Sequence, residues 1–247
     1  MKKKYKRILA LFLFLNLNLA SFAENPFMKS KNQNGDEFVS SKRAVMIVLD
    51  ASGSMSEEAE NGKTKIFAAK QVLEKVLSEL DSSVKVGLRV YGSSEPSFDP
   101  FEKCQDTLLL VSPALNNRAK IINELRNIKP SGATPISLAM RRAIDDLKSV
   151  SAEQKSVVLI SDGMDTCGYD PCSLAESMRE NNLNVQFNVV GFGIKNDFNA
   201  IEQLQCIAKS TDGQFYTADT SAELTEGITD GLNRYSLNVN AEIEEVR

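Results

Sequence analysis

Two stretches of this chain, Ala44-Val45-Met46-Ile47-Val48-Leu49 and Val157-Val158-Leu159-Ile160, are apolar at every position rather than at every second one. Successive side chains of a strand point to opposite faces of its sheet, so strands like these must be covered on both faces. That requirement fits the centre of a parallel sheet with helices above and below it. Each run also stops at polar residues: the first at Asp50-Ala51-Ser52-Gly53-Ser54, the second at Ser161-Asp162-Gly163.

The remaining periodicities supply the helices and further strands. Ile66, Ala69, Leu73, Val76, Leu77 and Leu80 recur at helical spacing and predict a helix from about Thr64 to Leu80. Val84, Val86, Leu88 and Val90 alternate as a strand does, and Thr107 to Val111 reads as another. Ile121, Ile122, Leu125 and Ile128 mark a short helix, and Thr134-Pro135 opens a longer one with proline at its first position. The 157 strand and a strand from Val185 to Val190 each lead into a helix, the first carrying Leu174 and Met178, the second Ile201, Leu204 and Ile207. Phe215 to Ala218 is a last strand, followed by the capping box Thr220-Ser221-Ala222-Glu223 and a helix with Leu224, Ile228, Leu232 and Tyr235. This alternation predicts an α/β fold: a doubly wound, mostly parallel sheet with helices on both faces. Right-handed crossovers bring the carboxyl ends of parallel strands to one edge, where ligands of such sheets bind. Asp50 and Asp162 therefore belong to the same rim.

A carboxylate with two hydroxyls at alternate positions of a tight loop suits a hard cation, which prefers oxygen ligands. With Thr134 ahead of a helix and Asp162 after a strand, the pattern Asp50-x-Ser52-x-Ser54, Thr134, Asp162 resembles the metal-ion-dependent adhesion site of von Willebrand factor type A domains. The resemblance spans roughly Arg43 to Tyr235, and we set the domain at 43–236. It implies a divalent cation, Mg²⁺ foremost with Mn²⁺ or Ca²⁺ as alternatives. By that likeness Ser52, Ser54 and Thr134 touch the metal directly or nearly so, while Asp50 and Asp162 act directly or through water. A metal held mainly by neutral hydroxyls stays electrophilic, and an Asp or Glu from a protein partner can complete its shell. Glu57, Glu58 and Glu60 follow the motif and read as a solvated loop that adds negative potential.

The amino-terminal 23 residues read as an export signal: basic Lys2 to Arg7, an apolar core from Ile8 to about Ala20, and Ser21-Phe22-Ala23 as a cleavage site. Asn16 and Asn18 interrupt a core already short of the roughly 20 apolar residues a membrane span needs. Loss of this segment, with its five basic residues and no acids, takes the net charge from −4 to −9. An acidic chain argues against nucleic acid or anionic lipid as partner. The expected setting is periplasmic or secreted. Residues 24–42 read as a flexible leader, and in 237–247 the alternation Leu237, Val239, Ala241, Ile243 hints at an extra strand.

Cys104, Cys167, Cys172 and Cys206 are an even set in an exported chain, which favours two disulfides. Without histidine or a Cys-x-x-Cys pair, zinc is disfavoured. A Cys167–Cys172 link would be local but leaves Cys104 to reach Cys206; the sequence leaves the pairing open.

The absence of histidine also excludes a Ser–His nucleophile. Metal-dependent phosphatases of doubly wound folds need a second carboxylate two residues after the first Asp, where this chain has Ser52. The sequence reading is thus a binding protein rather than an enzyme. A phosphatase-like hydrolase and a structural domain with a non-functional site are the alternatives.

Overall fold

The computed structural model describes residues 42–94, 99–181, 183 and 185–245, with side chains through residue 234. The export signal and the leader up to residue 41 lie outside the described residues.

The first apolar run is strand β1 (Arg43–Asp50), buried along nearly its whole length. A single 3₁₀ turn (Gly53–Ser56) follows, then a small hairpin of β2 (Glu58–Glu60) and β3 (Lys63–Thr64). Helix α1 (Lys65–Glu79) is capped by the Thr64 hydroxyl, and β4 (Lys85–Tyr91), the short α2 (Pro100–Lys103) and β5 (Thr107–Ala114) come next. The chain continues through α3 (Arg118–Asn127), α4 (Ile136–Lys148), β6 (Gln154–Ser161), α5 (Pro171–Glu180), β7 (Gln186–Phe192), α6 (Phe198–Ser210), β8 (Phe215–Ala218) and α7 (Ser221–Glu245). Pro135 stands one place earlier than expected, just ahead of α4.

The six-stranded sheet runs β5-β4-β1-β6-β7-β8. All neighbours are parallel except β4 and β5. Among the described residues between them the helix is the four-residue α2, too little for a helical crossover that would bring the chain back parallel. β1 and β6, the two runs without polar alternation, are central neighbours. The doubly wound, mostly parallel architecture is the one the alternation required.

Each strand of the centre splits its side chains between two cores. Val45, Ile47 and Leu49 pack with α1, α3 and α7 on one face, and Ala44, Met46 and Val48 pack with α4, α5 and α6 on the other. This two-sided burial is what removes polar residues from the interior of β1.

The strand suggested for the tail is corrected. The backbone of α7 runs on to Glu245. Four apolar residues at alternate positions are too few to fix the element type, and no glycine or proline follows Gly231 to end the helix already under way.

Candidate functional site

β1 and β6 end side by side because they pair in register, Leu49 opposite Ile160. Their polar sequels therefore meet. The Ser52 and Ser54 hydroxyls lie 3.1 Å apart, and Ser54 donates to Asp162 Oδ1 at 2.8 Å. Asp50 sits just behind them, fully buried. Its Oδ1 accepts from the Ser52 backbone N–H at 2.7 Å, and its Oδ2 accepts from the Tyr91 hydroxyl at 2.8 Å and the Ser161 hydroxyl at 2.7 Å. Tyr91 is placed there by the sheet itself, since it is the register partner of Asp50 in the β1–β4 pair.

The fifth residue, Thr134, comes in on a loop knitted to the other two strand ends. Ser52 and Gly132 form an isolated parallel bridge, the Gly53 N–H donates to Gly132 O at 3.0 Å, and the Ser131 N–H donates to Ala51 O and Gly92 O. Gly92 makes this close approach possible: its φ is +69°, and a Cβ there would stand 2.7 Å from both Ala133 O and Ser52 Cα. Thr134 is buried, and its backbone is held on both sides by Thr166, whose hydroxyl accepts from the Thr134 N–H at 2.9 Å and whose N–H donates to Thr134 O at 3.1 Å. The next residue back, Asp165, accepts from the Ser137 N–H at the start of α4 and from the Cys167 N–H. So the structure brings Ser52, Ser54 and Asp162 into one hydrogen-bonded chain, sets Asp50 behind it, and adds Thr134 through backbone contacts.

Cys167 is bonded to Cys104, and Cys172 to Cys206, with no cysteine left free. The first link ties the segment beyond β4 to the loop carrying Asp165 and Thr166; the second ties α5 to α6. Both replace the local Cys167–Cys172 pairing that proximity along the chain made attractive.

Lys65, Tyr91 and Ser161 were not assigned from sequence. Lys65, buried at the start of α1, reaches Asp162 Oδ2 at 2.9 Å and Glu57 Oε2 at 2.9 Å. Glu57 keeps the solvated position expected of it and adds an ion pair with Lys65, while Glu60 accepts from the Ser221 N–H at the start of α7. Glu58 retains the exposed character expected of it and accepts from the Gly62 N–H across the hairpin.

The electrostatics favour an added cation. Burial first, and then the charge of Asp162, push the Asp50 carboxyl up to about 6, against the hydrogen bonds it accepts from Ser52 and Ser161. Burial likewise raises the Tyr91 hydroxyl well above its ordinary range, with the Asp50 charge next in weight. Burial pulls the Lys65 ammonium down, but its bonds to Asp162 and Glu57 outweigh that and raise it. Asp50 and Asp162, with the exposed Glu57 beside them, outnumber the one buried ammonium and leave an excess of negative charge among hydroxyl oxygens. An all-oxygen set of this kind fits a divalent ion such as Mg²⁺.

Residues 44–230 match the von Willebrand factor type A domain family. The chain is 29% identical over 232 residues to the uncharacterized protein YwmC of Bacillus subtilis (strain 168), covering 93% of this chain and 96% of that protein. Among solved structures it resembles BatB, a conserved hypothetical protein from Bacteroides thetaiotaomicron, with a TM-score of 0.61 at 19% identity over 78% of this chain and 98% of that one. It also resembles the pilus adhesin SpaC from Lactobacillus rhamnosus GG, with a TM-score of 0.60 at 15% identity over 80% of this chain and 30% of that one. Sheet order, helical layers and family match agree, and the chain belongs to the von Willebrand factor type A domain family.

Proposed function

We propose that this is an exported binding protein that holds one divalent cation, Mg²⁺ foremost, at Asp50, Ser52, Ser54, Thr134 and Asp162, and uses it to recognise a protein partner. The observation that carries the reading is the Ser52–Ser54–Asp162 chain of hydroxyl and carboxylate oxygens in front of an Asp50 whose burial disfavours its charge. The bound ion supplies an open, electrophilic coordination position for an acidic side chain of the partner. Ser52, Ser54 and Thr134 present neutral oxygens, which leave that electrophilicity intact. Tyr91 and Ser161 keep Asp50 oriented from behind, so its role is to balance charge and fix the Ser52 backbone. The likeness in fold to a pilus adhesin supports a binding role, and two disulfides suit an oxidising compartment. No helix among the described residues is long and apolar enough to cross a membrane.

The hydrolase alternative has less support. It calls for a second carboxylate two residues after Asp50; Ser52 stands there, its hydroxyl engaged with Ser54. Nucleic acid is disfavoured by the acidic charge.

The test is thermal. A ligand that binds only the folded state at a hundredfold excess over its Kd adds about 2.7 kcal/mol, a rise of roughly 5–10 °C in Tm for a domain of this size. Mg²⁺ or Mn²⁺ should produce that rise in the wild type and none in Asp50→Ala, and EDTA should release a captured partner. Equal rises in both proteins would overturn the assignment.

A further inference from the structure

Lys65 is a basic residue at the amino end of a helix, where the backbone dipole disfavours positive charge. Its placement therefore serves something other than α1. The backbone N–H of Lys65 donates to Glu57 O at 2.9 Å while its ammonium bridges Glu57 and Asp162, so both ends of the residue are anchored. Its stem passes Gly193, just beyond β7, where φ is +71° and a Cβ would come within 3.2 Å of Lys65 Cε. The end of β7 is bare where the lysine runs, and the ammonium is delivered to one oxygen of Asp162.

Asp162 Oδ2 is held by Lys65, and its Oδ1 faces Ser54. Asp50 Oδ2 is held by Tyr91 and Ser161, and its Oδ1 by the Ser52 N–H. Asp50 Oδ2 already accepts from two donors, and an ion held by both oxygens of Asp162 would lie against the Lys65 ammonium, so two-oxygen binding by either carboxylate competes with these contacts. Ca²⁺ takes six to eight oxygens and commonly uses carboxylates in bidentate fashion; Mg²⁺ takes six, keeps several waters and needs only one or two carboxylate oxygens.

We propose that Lys65 sets the ion specificity of this site: by occupying one oxygen of Asp162 it confines that carboxylate to a single-oxygen contact and so favours small octahedral ions over Ca²⁺. The inference rests on the metal-binding reading above and goes beyond it in naming the residue that discriminates between ions.

Calorimetric titration of the wild type and Lys65→Met with Mg²⁺, Mn²⁺ and Ca²⁺ tests it. The wild type should bind Mg²⁺ more tightly than Ca²⁺, and in Lys65→Met that preference should fall at least tenfold as Asp162 becomes free to use both oxygens. A wild type that binds none of the three ions overturns the metal reading and this inference with it. A wild type that binds with a preference unchanged in Lys65→Met overturns the Lys65 assignment alone, leaving the lysine as a structural counter-charge. Removing the lysine strands a buried carboxylate, a costly change, so the wild type provides a second readout that needs no variant. In nitrogen-15 spectra of the lysine ammonium groups, Lys65 should keep a protected signal at saturating Mg²⁺ and lose it when Ca²⁺ binds. Loss under both ions equally counts against the proposal.

Discussion

The two helical layers that cover the sheet are built by different rules. The layer of α1, α3 and α7 contains no cysteine and is held by apolar packing, with Leu73, Leu77, Ile121, Leu125, Leu224 and Ile228 all buried. Its gift to the site is Lys65, a charge carried on a long stem. The layer of α4, α5 and α6 has the same kind of stripe but adds the Cys172–Cys206 link between two of its helices and the Cys104–Cys167 link beside its loops. Its gift is Thr134, a short side chain whose position depends on the backbone around Thr166. A lysine can reach across a few ångströms from a helix that merely packs well. A threonine hydroxyl cannot, so the loop that bears it needs cross-links and paired hydrogen bonds to stay in place.

The contrast can be broken most forcefully by reduction. The disulfides close loops with sequence separations of 63 and 34 residues, and loops of that size are stabilised by about 4 kcal/mol each in the chain-entropy account. Denaturant unfolding with and without reductant should register that loss, and hydrogen exchange should quicken in α5, α6 and the Thr134 loop well before α1. Uniform acceleration across both layers would erase the distinction. Next in size is Leu73→Ala, which opens a cavity in the layer without disulfides; a cost of about 3 kcal/mol is expected from urea unfolding, unaltered by reductant. The smallest effect belongs to the cap of α7. The Glu223 N–H donates to the Thr220 hydroxyl while Glu223 Oε2 accepts from the Thr220 N–H, and Thr220→Ala should lower stability by about 1 kcal/mol. A loss above 3 kcal/mol there would mean that α7 depends on its first turn more than on Leu224, Ile228 and Leu232.

Much of this was legible in the chain because burial on both faces leaves such a plain mark. β1 and β6 could be recognised from apolar runs alone, and their ends located Asp50 and Asp162. The hairpin of β2 and β3 carries a sequence mark as well: Asn61-Gly62, both at positive φ, is a tight-turn pair between short strands. Other features left none. Tyr91 looks like any core aromatic at a strand end until strand register sets its hydroxyl against Asp50. Lys65 looks like an exposed helix residue, since a sequence does not show which way a flexible stem folds; its only oddity is a positive charge at a helix start. The disulfide pairing was hidden because it depends on how the loops beyond β4 and β6 lie beside one another, which neither spacing nor periodicity encodes.

The connectivity of those bridges bears on how the chain matures. The first cysteine in sequence joins the second and the third joins the fourth, so the two covalent rings are consecutive and do not interlock. For a chain emerging amino end first past an oxidant, each cysteine finds its proper partner as the next one to arrive. Oxidation in order of appearance therefore yields the native bonds, and the slow reshuffling that crossed pairings impose, seconds to hours in general, is not required of this fold.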